Sequence, residues 1–251
     1  TGGQEWRGDV YLLGQDERVV TSLEMDDIIT HRLEQLAGLK EVVFIQCVGS
    51  REPERPYCSR VCCTHALESA LELKRRDPQT EVCILYRDMR TYGEREDLYH
   101  EAREKGVLFF RYSLEDKPEV SAGKNTLGVR FFEKILNRSI RIEADLLTLA
   151  TAMVPRADVE EVAQLFHVTR SEDGFFMEAH PKLRPVDTTS DGIFLAGTCQ
   201  GPKDIPDTVA QAKAAASSAL IPLSRGKATV EAIVSSVDQY LCVGCGLCEP
   251  T

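Results

Sequence analysis

Two uninterrupted apolar runs constrain this chain more than any other feature. "EVVFIQ" covers Glu41 to Gln46, and "EVCILYRD" covers Glu81 to Asp88. A strand that is apolar at successive positions must be buried on both faces, which is the situation of a covered parallel sheet. Between the runs, "SRVCCTHALESALELKRRD" places Ala66, Leu67, Ala70, Leu71 and Leu73 at helical spacing, giving one apolar stripe. Lys74, Arg75 and Arg76 follow in the last turn, where the helix dipole is negative. The order strand, helix, strand predicts a right-handed parallel unit. Helix 59–76 is expected to pack on parallel strands 41–46 and 81–88.

The rest of the chain continues the α/β pattern. "RVVTSLEMDDIITHRLEQL" reads as a short extended piece and then a helix with Leu23, Ile28 and Leu33 inward, ended by Gly38. A second helix is expected from Glu94 to Lys105 and a third strand at "VLFFRY". Strands are also expected at Thr126 to Lys134, at Ser139 to Ile142 and within "ADLLTLATAMVP". "DGIFLAGT", Asp191 to Thr198, reads as a further buried strand ending at glycine. "IPDTVAQAKAAASSALIPL" reads as an Ala-rich helix with Pro206 in its first turn, where a missing N–H costs least. Its positive N-terminal amides can attract a phosphate or an electron-rich ring oxygen.

The junction after the first strand is unusual. "QCVGSREPERPYCSRVCC" carries Cys47, Cys58, Cys62 and Cys63, where many α/β proteins have a glycine-rich phosphate loop. Cys58 and Cys62 lie one helical turn apart, so both can face one point; Cys63 points elsewhere unless the helix starts there with an irregular first turn, and Cys47 at the strand end would close the site. Four thiolates meet the requirement of a [4Fe-4S] cube. Structural zinc and unliganded buried cysteines are the alternatives. At the other end, Cys242, Cys245 and Cys248 follow the C-x2-C-x2-C ferredoxin spacing, with Gly244 and Gly246 interleaved. Zinc is again the alternative. The fourth ferredoxin cysteine would fall after Thr251, and the sequence begins with Thr1-Gly2-Gly3 and no Met. The chain is therefore expected to be part of a longer one.

Seven of the nine cysteines fall in these two tight groups. A disulfide framework is spaced differently, so a reducing compartment, the cytoplasm, is expected. Cys83 lies mid-strand and reads as core. Cys199 reads as structural. His65 and His167 sit in helical patterns and are not expected to be ligands, and His180 reads as part of a solvated turn. The net charge of −10 argues against an extended nucleic-acid footprint. No apolar run has the roughly 18 to 20 residues of a membrane helix.

"VVFIQCVGSRE", "PYCSRVCC", "EAHPKLRPV", "DGIFLAGTCQGPKDIPDTVAQA" and "CVGCGLCE" together resemble the A subunit of heterodisulfide reductase and its bacterial relatives. The likeness runs from about Val19 to the end. It implies a fold like thioredoxin reductase, in which a Rossmann-like domain is inserted into a flavin domain. It implies that residues 1–38 are the end of the first flavin half and a crossover. Residues 39–155 would be the inserted domain with the iron–sulfur site, 156–224 the second flavin half, and 225–251 a connector with a truncated ferredoxin-type motif. Cys47, Cys58, Cys62 and Cys63 would be [4Fe-4S] ligands. Thr1, Gly2, Gly197, Thr198, Gln200, Asp204, Ile205 and Thr208 would be FAD contacts.

The upstream GxGxxG of the flavin fold is absent, so FAD is expected to be held weakly or not at all by this stretch alone. Gly197-Thr198 stands where related flavoproteins have Gly-Asp. No residue is singled out as catalytic.

The resemblance implies electron transfer by a flavin/[4Fe-4S] subunit of a complex that splits electron pairs. Its partners would be other heterodisulfide-reductase-type subunits in a hetero-oligomer, with ferredoxin or hydrogenase/dehydrogenase electron donors. The alternatives are an NAD(P)-dependent disulfide reductase-like flavoprotein and a zinc-stabilised docking scaffold.

Overall fold

The computed structural model describes residues 1–227 and 236–245. The strands are β1 (Gly3–Glu5), β2 (Val19–Thr21), β3 (Glu41–Val48), β4 (Glu81–Tyr86) and β5 (Leu108–Arg111), followed by β6 (Glu119–Ala122), β7 (Leu127–Glu133), β8 (Arg138–Ala144), β9 (Leu146–Thr151) and β10 (Met153–Pro155). The helices are α1 (Ser22–His31), α2 (Cys62–Arg76), α3 (Glu96–Glu104), α4 (Val159–Phe166) and α5 (Ile205–Arg225).

The central sheet has the order β2-β9-β3-β4-β5, and every pairing in it is parallel. Alternate residues explain the unbroken apolar runs. Val42, Phe44, Val82 and Ile84 face Met25 and Ile28 of α1, the α2 stripe Ala66, Leu67, Ala70 and Leu71, and Ala102 of α3. Val43, Ile45, Cys83 and Leu85 face Leu127, Val129 and Phe131 of the antiparallel meander β6-β7-β8. Helices cover one face and a second sheet covers the other. A fully buried Leu or Phe here contributes about 1.5–3 kcal/mol, and Phe44, Leu67 and Leu127 are among the largest such side chains.

Two expectations are corrected and one strand is added. In α1 the buried residues are Met25 and Ile28 while Leu23 is exposed; the helix ends at His31 rather than at Gly38, and Leu33 lies exposed in the 3-10 turn Leu33–Leu36 that follows. A capping box fixes the phase: Thr21 Oγ1 accepts from Glu24 N at 3.3 Å, and Thr21 N donates to Glu24 Oε2 at 2.8 Å. Starting at Ser22, the inward stripe falls on Met25 and Ile28, three residues apart. Second, "DGIFLAGT" forms no strand: Phe194 makes an isolated bridge to Asp187, and Gly197–Cys199 is a 3-10 turn. Among the described residues no neighbouring strand lies beside it to complete a ladder. Strand β6 is the addition, and the apolar pattern does not mark it.

At the amino end of the sheet, the Asp145 carboxylate accepts from Lys40 N at 2.7 Å and Glu41 N at 3.0 Å. Glu41 beside it is pushed up to about 6, by burial first and then by the charges of Glu81 and Asp145, against Lys74. A carboxylate raised in the fold makes the native state bind more protons than the unfolded chain between about pH 4.5 and 6. Stability therefore falls as pH rises through that window. Glu41→Gln is expected to stabilise the protein at pH 8 and to gain nothing at pH 4.5. Glu41 is only half-buried, so screening holds the gain below about 1 kcal/mol. Thermal denaturation at the two pH values checks this.

Candidate functional site

The site is built at the carboxyl end of β3, where the chain order reverses. From β3 the sheet proceeds through β4 to β5 on one side and places β9 on the other. A crevice outside such a reversal is the usual ligand position of open α/β sheets.

The register between β3 and β9 shifts between Ile45 and Val48. This irregularity turns Cys47 out of the ladder, at φ +60°. Arg51 (φ +57°) and Arg60 (φ +65°) are also left-handed. Each such non-glycine residue costs about 1–2 kcal/mol, and three in one loop point to a held shape with a use.

Several contacts hold that shape. Arg87, only 7% exposed, donates to the carbonyls of Arg51 (2.8 Å), Ser50 and Cys47 (3.5 Å). Arg51 N donates to Tyr57 O at 3.0 Å. Tyr57 Oη donates to Met153 O at 3.0 Å, and Ser59 Oγ accepts from Met153 N at 2.9 Å. The cysteine loop is thereby fastened to the two-stranded ribbon β1-β10.

The helical-turn argument for Cys58 is corrected. The helix begins at Cys62, so Cys58 lies in the loop and Cys62 and Cys63 occupy its first turn. Their approach to one region comes from the loop's path. Burial pushes the Cys62 thiol up, and the charges of Cys47, Cys63 and Cys58 push the same way. Burial pushes Cys63 up to about 11; the Arg90 backbone amide lowers it, and Cys47 and Cys58 raise it. Cys62 and Cys63 thus feel the charges of Cys47 and Cys58, and both lie in the first turn of α2, at the positive end of its dipole. Arg60 N approaches Cys58 Sγ at 3.3 Å, and Arg51 Nη1 approaches Cys47 Sγ at 3.9 Å.

Two buried groups next to this loop lack hydrogen-bond partners. Gln46 is fully buried beside Cys47, and neither its Nε2 nor its Oε1 has a partner. The Arg87 Nε is likewise unpartnered. An unpaired buried polar group costs about 1–3 kcal/mol. Among the described residues, no three His, Cys, Asp or Glu are set to hold a single metal ion.

The expected flavin contacts are partly gathered. Gly3 N donates to Thr198 Oγ1 at 2.9 Å, Gly197 N donates to Gln211 Oε1 at 2.8 Å, and Lys203 Nζ donates to Gly197 O at 2.7 Å. Gly2 (φ +116°) and Gly197 (φ +79°) lie against Thr198 and Thr208 respectively. Gln200 is held by Glu178 at 2.7 Å. Asp204 caps α5 by accepting from Asp207 N at 2.7 Å and pairs with Arg95. Thr1 and Ile205 are exposed, Ile205 at 79%.

Cys242 and Cys245 are exposed; Cys248 lies outside the described residues. Cys83 is core, as expected. His65 pairs with Asp26 at 2.6 Å, and His167 caps α4. His180 Nδ1 accepts from the amides of Lys182 and Leu183 in a local turn. Sequence reasoning missed Gln46, Arg51 and Arg87. The available signal was a guanidinium directly after a buried run, at Arg87.

No protein-family model matches the chain. Among solved structures, the thioredoxin reductase of T. acidophilum aligns with TM-score 0.56 and 15% identity, over 87% of this chain and 62% of that one. The Lactococcus lactis thioredoxin reductase aligns with TM-score 0.54 and 17% identity, over 90% and 65%. These likenesses establish the fold, a thioredoxin-reductase-like Rossmann-type α/β architecture. Among curated proteins, the chain is 43% identical to the iron-sulfur A subunit of a CoB–CoM heterodisulfide reductase from Methanopyrus kandleri, over 95% of this chain and 38% of that protein. It is 42% identical to the A subunit of the H2/formate:CoB-CoM heterodisulfide,ferredoxin reductase from Methanococcus maripaludis, with the same coverage. Shared identity at this level over nearly the whole stretch, joined to the fold and the cysteine loop, means that the chain belongs to the family of heterodisulfide reductase A subunits, of whose curated members it spans about 38% of the length.

Proposed function

We propose that the chain is the electron-transfer part of a heterodisulfide-reductase-type oxidoreductase, with a [4Fe-4S] cluster on Cys47, Cys58, Cys62 and Cys63. The observation that carries it is the strained loop at the sheet's carboxyl edge, which joins Cys47 at the end of β3 to Cys62 and Cys63 at the start of α2. A cluster supplies one-electron transfer and a flavin exchanges one or two electrons. The chain's own residues do the positioning. The bulge at Cys47 and the start of α2 aim three thiols, Arg87 and Tyr57 hold the loop, and Arg51 and Arg60 approach sulfurs.

FAD is proposed at Gly2, Gly197, Thr198, Gln200, Asp204, Ile205 and Thr208, with Thr1 at the edge. Residues 39–155 then form the inserted domain, flanked by two flavin segments. Cys242, Cys245 and Cys248 are assigned to a second, ferredoxin-type cluster. Ferredoxin and further subunits of the same complex are the proposed partners, with hydrogenase or dehydrogenase donors. The proposed compartment is a reducing cytoplasm. Among the described residues no helix is long and apolar enough to cross a membrane.

Iron, zinc and flavin analysis of the anaerobically purified full-length protein tests this reading. Iron with broad absorbance near roughly 400 nm is expected, together with stoichiometric FAD. Zinc in a protein without visible absorbance would replace this reading with that of a stabilised scaffold.

A further inference from the structure

Arg87 is a guanidinium 7% exposed, and among the described residues it has no carboxylate partner. Its bonds go to the loop carbonyls, and its Nε has none. Arg51 lies beside it, with Nη1 3.9 Å from Cys47 Sγ and Nη2 2.5 Å from Asp88 Oδ2. Asp88 is the carboxylate paired with Arg51, and it is shared with Arg111 at 2.8 Å and Arg90 at 3.9 Å. Positive charge is in excess here, although the whole chain carries −10. A buried cation without a counter-charge is costly.

We propose that Arg51, on the loop that Arg87 holds, is a counter-charge of the anionic cluster and, through Cys47 Sγ, raises its reduction potential. This rests on the four-cysteine assignment above. Cluster potentials respond to net charge and to hydrogen bonds at sulfur. Reduction adds one negative charge, and a nearby cation favours the reduced form. Arg51 is therefore a positioning residue whose charge is read by the cluster. Asp88 tempers it.

The test is a potentiometric titration followed by electron paramagnetic resonance, on anaerobically purified full-length protein. The signal of this cluster is the one lost in Cys62→Ser. Arg51→Gln should lower its reduction equilibrium constant at least tenfold, about 59 mV for one electron. Asp88→Asn, which removes the opposing charge, should shift it the other way. Arg51→Lys should stay close to wild type. Arg111→Gln removes a partner of Asp88 that reaches no sulfur, and should move the midpoint less than Arg51→Gln does.

A merely structural role would not give shifts of opposite sign. Unchanged midpoints with full iron, or two shifts of one sign, overturn the proposal. If Arg51→Gln fails to hold the cluster, Asp88→Asn decides alone: an upward shift supports the proposal, and no shift or a downward one overturns it. A wild-type protein with no Cys62-dependent signal would instead defeat the cluster assignment itself.

Discussion

Cys62→Ser is expected to abolish the cluster proposed on Cys47, Cys58, Cys62 and Cys63, while Cys83→Ser keeps the iron content. Cys62 opens α2, and its thiol is within electrostatic reach of the other three. Cys83 is fully buried on the opposite, meander-facing side of the sheet. Burying a serine hydroxyl there costs about 1–3 kcal/mol, which lowers stability without touching the site. Losing Cys62 acts differently. The three left-handed residues Cys47, Arg51 and Arg60 strain the loop by about 1–2 kcal/mol each. Metal binding and local folding are coupled, so without the cluster residues 47 to 63 should exchange amide hydrogens faster than the β3 core. Iron analysis, the visible spectrum and hydrogen exchange read the three consequences. Full iron in Cys62→Ser combined with its loss in Cys83→Ser would refute the ligand assignment.

Much of this arrangement was legible because burial on both faces leaves a plain mark. The runs at Glu41 and Glu81 became adjacent parallel strands, with α2 on the helical face. What escaped had no comparable mark. Strand β6, "EVSA", is mostly exposed and has one half-buried valine, so its pairing with β7 leaves no apolar pattern. "DGIFLAGT" has the composition of a buried strand, but strand formation needs a neighbour, and an isolated bridge at Phe194 is what it makes. Periodicity placed Cys58 on the helix; the chain instead turns through left-handed Arg60 before α2 begins. Arg51 and Arg87 carry no mark of their role, since composition cannot show that the loop folds back over the sheet edge. The flavin contacts came from family likeness, and the fold gathers Gly2, Gly197, Thr198 and Thr208 while leaving Ile205 outward.

Gly49→Ala is expected to be the most damaging of the small substitutions in the cysteine loop. Gly49 has φ +73°, and a Cβ there would lie 2.4 Å from Cε3 and Cζ3 of Trp6. The ring has little room to retreat. Trp6 N donates to Ala152 O at 2.7 Å, and the Arg55 guanidinium sits 4.5 Å over the ring while bonding to Gly49 O. Left-handed strain contributes about 1–2 kcal/mol and overpacking about 1–3 kcal/mol. Together they approach 2–5 kcal/mol, a large share of the roughly 5–15 kcal/mol that stabilises a typical domain. Gly49 lies two residues from Cys47, so the displaced backbone should also lower iron retention.

The double variant Gly49→Ala/Trp6→Leu separates the two causes. Removing the ring should recover the steric part and leave the backbone part, giving a coupling of about 1–3 kcal/mol between the sites. Denaturant titration with iron analysis on the single and double variants measures it. A single Gly49→Ala variant within about 0.5 kcal/mol of wild type would mean that the segment around Trp6 does not clamp the cysteine loop, because the clash at 2.4 Å is what the clamp consists of.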